Sequence, residues 1–447
     1  MEYDIIIIGA GPAGYAAALR ASQLGMKTAL IEKSHIGGMC INWGCIPTKA
    51  IIESARIFSK TKKVDEFGID GVDPLKIVFN WEKVKERSIG ITHKLSKGIE
   101  GMLKKHGVDI MQGEAIINAD KSVSVGDKSF TATDVVIATG SRPAENNNQK
   151  FKDIIINIDK LFELKEIPEN IVVIGKGGVA VEMAQFFNLI GKSVTLLSND
   201  EKILPGFDEY LQSWMIDKFK KNGIQFIAGT SENYADGKLL VNGKKIKCDK
   251  IINCSLRKAI LPECRLNIDL DEKGYIKVDK NLETNQPNIF AIGDVNGKSY
   301  FSYIASAQGI LVINKIKGIQ SDFSVNNYPL NLYSMPEISQ IGMTEQKLIS
   351  EGIEYKITQL PLSSNGKALI EGNTEGFVRF LSDKKYGQVL GAQIIAANAS
   401  DMISEASAIM QNEGSIFDIT QIIHAHPTIS EIFTEAGFEA MYRLFSE

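Results

Sequence analysis

The sequence predicts an α/β protein, with two doubly wound parallel-sheet units followed by a C-terminal α+β unit. Three observations predict it. The apolar run Ile5-Ile6-Ile7-Ile8 passes directly into Gly9-Ala10-Gly11-Pro12-Ala13-Gly14 and then into a helix pattern. A second apolar run, 171–174, passes in the same way into Gly175-Lys176-Gly177-Gly178-Val179-Ala180. Beyond residue 330 no glycine fingerprint occurs, and strand and helix patterns alternate.

Composition narrows the class. A chain of 447 residues is too long for one ordinary core, so about two to four domains are expected. A hydrophobic share of 44% and a charged share of 23% are those of a globular protein. Net charge is -4, and the lysine-rich patches at 60–63 and 244–247 read as solvated faces, which argues against nucleic acid. No stretch approaches a transmembrane span. The run at 5–8 sits almost at Met1 and leads into glycines, so it is not a signal or transit peptide, and a cytoplasmic location is expected. Five cysteines in so long a chain make no disulfide scaffold, and in the cytosol a cysteine pair points to catalysis or redox sensing.

In the first unit, strand 4–8 is apolar on both faces, as a buried parallel strand is. A helix pattern runs to Leu24, and a second strand at 28–31 ends at Glu32. Gly9 makes the tight turn, Gly11 lets backbone approach a pyrophosphate, and Gly14 allows close helix–strand packing. The helix N-terminus receives phosphates, and Glu32 can bind a ribose diol.

Next comes Gly37-Gly38-Met39-Cys40-Ile41-Asn42-Trp43-Gly44-Cys45-Ile46-Pro47-Thr48-Lys49. Four residues between cysteines is not metal-knuckle spacing. In a regular helix the two Cα atoms would stand roughly 8 to 9 Å apart, beyond disulfide reach. The pair can bridge only if 41–44 leaves the helix, which Gly44 permits. One reading is a strained redox disulfide at the head of a helix running through 51–58; the other is a pair of buried, unlinked thiols. Residues 81–105 form an amphipathic helix pattern, 113–131 alternate as short antiparallel strands, and 135–140 is a buried strand ending in a turn. The polar stretch 145–150 reads as a linker.

In the second unit a helix pattern runs to Ile190 and a strand spans 193–197. Two such folds imply two nucleotides. The strand ends at Ser198, where an acid would favour NAD and a nearby arginine NADP, so the choice is open. Segment 250–258 reads as a strand and exit loop. Cys248, Cys254 and Cys264 have no ligand spacing and read as structural, so no metal is expected. Strand 289–294 ends in Gly293-Asp294, an acid that can bond a polyol or simply make a turn. A helix pattern follows from Tyr303 to about Lys317, and 321–329 reads as a second linker. In the last unit, strands at 355–361, 376–381 and 389–395 alternate with helices at 344–351, 399–412 and 430–445. Two of the five histidines stand at His424-Ala425-His426-Pro427-Thr428. Glu431, five residues after His426, can orient it as a base. His35 and His93 read as surface residues.

Together these features resemble the pyridine nucleotide–disulfide oxidoreductases over essentially the whole chain. Gly44-Cys45-Ile46-Pro47-Thr48-Lys49, Asn365-Gly366-Lys367-Ala368 and His424-Ala425-His426-Pro427-Thr428 are similar to the family's dihydrolipoamide-oxidising branch. The resemblance implies an FAD-binding domain over 1–147 and 269–325, an NAD(P)-binding domain over 148–268 and a dimerisation domain over 326–447. FAD would lie on Gly9, Gly11, Gly14, Glu32, Ala115, Gly140, Asp294 and the Ala305 amide, with Lys49 beside the flavin and paired to Glu182. NAD(H), with NADP(H) not excluded, would lie on Gly175, Gly177, Ala180, Glu182 and Ser198. Cys40 would face substrate and Cys45 the flavin, linked as a redox disulfide. His426 and Glu431 would come from the other subunit of a homodimer. The implied reaction moves electrons from dihydrolipoamide through Cys40–Cys45 and FAD to NAD+, for a lipoyl domain of a 2-oxoacid dehydrogenase or glycine-cleavage complex. A reductase of glutathione or another small disulfide, and a flavin-binding redox sensor with little turnover, are the alternatives.

Three departures stand out. Met39 replaces the family's threonine, Leu256-Arg257 replaces Gly-Arg, and Ala180 replaces the third glycine of the second fingerprint. No paired C-terminal cysteines occur, which disfavours mercuric reduction, and no N-terminal lipoyl-type domain is expected.

Overall fold

The computed structural model describes residues 2–144, 151–255, 257–320 and 327–446. The expected linker 145–150, residues 321–326 of the second linker, and Leu256 lie outside them.

The first unit is built on an eight-stranded sheet. Its order is Glu263–Cys264, Ala115–Ile117, Val123–Val125, Lys128–Ile137, Glu2–Ile8, Thr28–Glu32 and Asp109–Gln112, with Ile289–Ala291 added beside Lys128–Ile137. The fingerprint strand Glu2–Ile8 is central and parallel to both neighbours, so its isoleucines are buried on both faces. The two strands expected around 131 and 135–137 are one. Lys128–Ile137 starts antiparallel to Val123–Val125 and continues parallel to Glu2–Ile8. Its first half is mostly exposed, whereas Asp134, Val135, Val136 and Ile137 are all buried, which is why the pattern looks broken in two.

Helix α1 (Pro12–Gln23) follows the fingerprint, with Pro12 at its first position, where its missing N–H costs nothing. Helix α2 (Gly38–Asn42) and α3 (Cys45–Thr61) carry the cysteines, and α4 (Trp81–Lys105) is capped by Asn80, which accepts from the Lys83 amide at 3.0 Å.

The second unit has a five-stranded parallel sheet in the order Gln225–Ala228, Ser193–Ser198, Asn170–Ile174, Lys250–Asn253 and Ile155–Asn157. Helices α5 (Gly178–Leu189) and α6 (Glu209–Lys221) belong to it. The expected exit loop holds a further strand, Arg257–Ala259, which pairs with Ser141–Pro143 and stitches the second unit back to the first. Helix α7 (Ser302–Ile316) returns to the first unit and packs on α1. A Cβ on Gly309 would meet the Ala13 carbonyl at 2.5 Å, so the two helices lie nearly backbone to backbone.

The C-terminal unit is a five-stranded antiparallel sheet with helices α8 (Glu345–Glu351), α9 (Gly366–Ile370), α10 (Ala399–Gln411), α11 (Ile416–Thr420) and α12 (Glu431–Ser446). Two of its strands, Leu330–Leu332 and Glu337–Gly342, escaped the sequence reading. The second buries Glu337, Ser339 and Gln340, so its polarity hides it. Two of the three find partners elsewhere in the chain: Arg56 reaches Glu337 at 3.2 Å, and Gln340 accepts from the Asp208 amide at 2.7 Å. All three units meet in one apolar cluster beneath α3, where Ile51, Ile52 and Ala55 join Phe186, Phe187, Leu332, Ile338 and Phe377. Among the described residues no helix is long and apolar enough to cross a membrane.

Candidate active site

The cysteine loop is broken where the sequence reading requires. Cys40 lies inside α2 and Cys45 is the first residue of α3; Trp43 and Gly44 leave helical geometry between them. A Cβ on Gly44 would stand 2.9 Å from the Met39 carbonyl, so glycine is what lets the loop close. A Cβ on Gly38 would come within 2.7 Å of the Gly11 Cα, so α2 is seated directly on the first glycine loop. Both cysteines are free thiols, so the structure describes the reduced form of the pair. Each sulfur acts on the other's ionisation. Donation from Cys40, with Lys49 close by, outweighs burial and brings Cys45 down to about 7. The same bond, then burial, pushes Cys40 up. The proton of the reduced pair therefore sits on Cys40 and the negative charge on Cys45.

Lys49 is one turn along α3 and donates to Glu182 Oε2 at 2.7 Å, as expected. Burial alone would pull the ammonium down, but the Glu182 carboxylate outweighs it and holds Lys49 above its ordinary value. Glu182 is buried in the first turns of α5, and its other oxygen accepts the Tyr333 amide at 3.0 Å. The Tyr333 ring lies 4.8 Å from Lys49 Nζ. One carboxylate thus holds groups from the first and the C-terminal units.

The first glycine loop fits a dinucleotide. Gly9 has φ +104°, and a Cβ on Gly14 would stand 1.8 Å from the Gly9 carbonyl. Nothing lies within 4 Å of where a Gly11 Cβ would be, which leaves open the cradle a pyrophosphate needs. Glu32 is buried and accepts from the Ala10 and Ser34 amides, each at 2.7 Å. These bonds aim it into a cleft that Gly9, Ala115 and Thr139 also line. Gly140 makes the turn after the central strand at φ +74°. Asp294 accepts from Ser141 Oγ at 2.5 Å, and burial raises its carboxyl against that bond and Arg257.

One assignment needs correction. The Ala305 N–H is taken by the Phe301 carbonyl at 2.9 Å, because Ala305 is already the fourth residue of α7. The open N–H groups of a helix belong to its first turn, here residues 302–304.

One departure from the family pattern, Met39, meets Arg257 in space. Arg257 donates to Ser141 Oγ at 2.7 Å, to the Ser141 carbonyl at 2.8 Å and to Met39 Sδ at 2.7 Å. Sequence reasoning gave Ser141, Arg257 and Tyr333 no role; each acts across more than a hundred residues, which local pattern does not report.

In the second unit, Gly175 has φ +142° and Ala180 is buried against it. Nothing lies within 4 Å of a Cβ on Gly177. Ser198 is buried, and its Oγ accepts from the Asp200 amide at 3.0 Å. Asp200 pairs with Lys176 of the fingerprint at 2.8 Å.

His426 Nδ1 is 2.8 Å from Glu431 Oε1, as expected of an oriented base. The Thr428 amide, then His426, holds the Glu431 carboxyl below the usual carboxylate range. Asn365, which caps α9, also donates to the Thr428 carbonyl at 3.1 Å and braces the histidine loop. The His426 side chain is 81% exposed. His424, by contrast, is buried between Thr434 at 2.7 Å and Glu405 at 2.9 Å. No group of three or more His, Cys, Asp or Glu among the described residues could hold a metal ion.

Two family models match the chain in succession. Residues 3–309 match the pyridine nucleotide-disulphide oxidoreductases, and 328–437 match the dimerisation domain of the same proteins. The chain belongs to this family. Dihydrolipoyl dehydrogenase of Bacillus subtilis is 36% identical, over 98% of this chain and 96% of that protein. The protein of that name in Geobacillus stearothermophilus is 35% identical, over 99% and 97%. Among solved structures, the HOCl-induced flavoprotein disulfide reductase RclA from Escherichia coli superimposes with a TM-score of 0.86 at 25% identity. The match covers 98% of this chain and 99% of RclA. As a member of this family, the chain is an oxidoreductase that uses FAD and NAD(H), and it carries the family's dimerisation domain.

Proposed function

We propose that the chain is a dihydrolipoamide-oxidising enzyme of this family, working as a homodimer in the cytoplasm and taking its dithiol from the lipoyl domain of a 2-oxoacid dehydrogenase or glycine-cleavage complex. The observation that carries it is the Cys40–Cys45 pair set across the break between α2 and α3, with Lys49, paired to Glu182, one turn beyond Cys45. The names of the relatives at 36% and 35% identity support the choice of dithiol.

The residues divide the work. In the oxidised pair, Cys40 is the sulfur attacked and Cys45 the one that leaves. Cys45 leaves well because its thiolate is stabilised, and a low thiol pKa speeds departure. Bound FAD supplies the electron-accepting ring between the thiol pair and the nicotinamide. Gly9, Gly11, Gly14, Glu32, Ala115, Gly140 and Asp294 would hold it, with the first-turn amides of α7. Gly175, Gly177, Ala180 and Ser198 would hold the nicotinamide nucleotide. Lys49 and Glu182 fix the distance between the two units, so that neither sulfur nor cofactor drifts. His426, exposed and oriented by Glu431, takes the proton of a dithiol at the partner subunit's Cys40.

Changing Cys45→Ser should abolish dihydrolipoamide turnover, a loss of at least about 1,000-fold, while the protein keeps its flavin. Near-normal turnover in that variant would sink the proposal. A parallel assay with glutathione disulfide tests the substrate: faster turnover of glutathione disulfide than of the lipoyl couple would overturn it.

A further inference from the structure

We propose that His424 is a positioning residue for the dithiol reaction: held between Thr434 and Glu405, it anchors the upstream half of the loop that carries His426. The inference rests on the reading of His426 as the base made above.

The loop runs from the end of α11 at Thr420 to the start of α12 at Glu431. Its outer side gives no support, because the His426 side chain stands in solvent. Downstream of His426, Asn365 donates to the Thr428 carbonyl, and Glu431 accepts the Thr428 amide at 2.7 Å. Upstream, His424 and Thr434 make the ties. The Thr434 hydroxyl has one hydrogen and gives it to the Ile422 carbonyl at 3.2 Å, so it accepts from His424 Nδ1 at 2.7 Å. That fixes Nδ1 as a protonated nitrogen and turns Nε2 toward Glu405 Oε1 at 2.9 Å. A bond between these two atoms needs a proton between them. Burial raises the Glu405 carboxyl, against the pull of His424, which favours a proton there. Glu405 lies on α10 and Thr434 on α12. Both helices are seated in the core, by Ile403 and Ala406 and by Ile432 and Phe433, so the two ties lead to rigid ground.

The anchor has a step to serve. Glu431 sets the rotation of the His426 ring through Nδ1, which leaves Nε2 to take a proton from the dithiol. Where the ring stands is set by the loop. With the upstream tie cut, 421–426 can swing about the downstream one. Moving a base by about 1 Å can cost up to about 100-fold in rate. Electron transfer out of reduced flavin uses no group of this loop, so the loss falls on the dithiol half of the reaction alone.

The test compares two activities of the flavin-loaded enzyme. One is oxidation of free dihydrolipoamide by NAD+. The other is oxidation of NADH by ferricyanide, which takes electrons from reduced flavin and needs no base. His424→Leu should lower kcat for dihydrolipoamide about tenfold, with KM and the ferricyanide activity each within about twofold of wild type. Glu405→Leu cuts the same tie from the other side; it should show the same split, and serves if the first variant folds poorly. Glu405→Gln, whose amide can donate to Nε2, should keep kcat within about threefold of wild type. An unchanged kcat in both leucine variants overturns the role of His424. So does an equal loss in both activities, which would mark a residue that only holds the fold. Normal dihydrolipoamide turnover in His426→Gln would instead sink the base reading beneath it.

Discussion

The two dinucleotide units start from the same strand–glycine–helix pattern and end with different degrees of fixity. In the first, a Cβ on Gly14 would overlap the Gly9 carbonyl at 1.8 Å, and Glu32 is locked by two amides at 2.7 Å. In the second, the third position holds Ala180 without a clash that requires glycine, and Ser198 stands where an acid could be. Its nearby acid, Asp200, is half-exposed and tied to Lys176. The first site is therefore shaped in advance for one permanent occupant. The second is looser, as suits a nucleotide that arrives and leaves in every cycle.

The largest expected effect breaks the tight unit. Gly14→Ala should leave less than about a tenth of the flavin bound, because the carbonyl it strikes is backbone that cannot swing aside. The ratio of flavin to protein absorbance after purification checks it. The matching change in the second unit, Ala180→Gly, should keep full flavin and alter the KM for NADH less than about threefold. Flavin loss in that variant would mean the two loops are not independent.

Next in size is the contact between the units. Lys49→Gln removes the cation beside Cys45. The Cys45 value is depressed, so its thiolate exists above that value and is lost as pH falls through it. Without Lys49 the value rises from about 7. The thiolate fraction at neutral pH then drops, and the pH profile of Cys45 alkylation moves to higher pH. An unmoved profile would show that the Cys40 bond alone sets the ionisation.

The smallest effect sharpens the loose unit. Lys176→Ala frees the Asp200 carboxylate, which should repel a 2′-phosphate more strongly. The NADH-over-NADPH ratio of kcat/KM should rise about two- to threefold, since both partners are half-exposed and screened.

Much of this site was legible in the sequence because its signals are local. The glycine fingerprints, the Cys40–Cys45 spacing, and His426 with Glu431 each lie within a short window, and the structure pairs Lys49 with Glu182 as the resemblance implied. What escaped lies across long gaps. Arg257 on Ser141 and Met39, and Tyr333 on Glu182, join segments that no periodicity connects. The strand Glu337–Gly342 was hidden because it buries polar residues, two of which, Glu337 and Gln340, find distant partners. Ala305 falls past the open first turn of α7, because a sequence pattern does not say where a helix begins.

The pairing of Ile289–Ala291 with Lys128–Ile137 has a consequence for how the chain assembles. Ser141 and Asp294, which meet at 2.5 Å, are 153 positions apart, and the whole second sheet is made from the chain between them. A ribosome delivers all of the inserted sheet before it delivers the strand that closes the first one. The nucleotide cleft that is tightest in the finished molecule is thus the one whose closure must wait. Its last strand has to find its place across a folded insert rather than a slack loop, which reduces the entropy lost on closure.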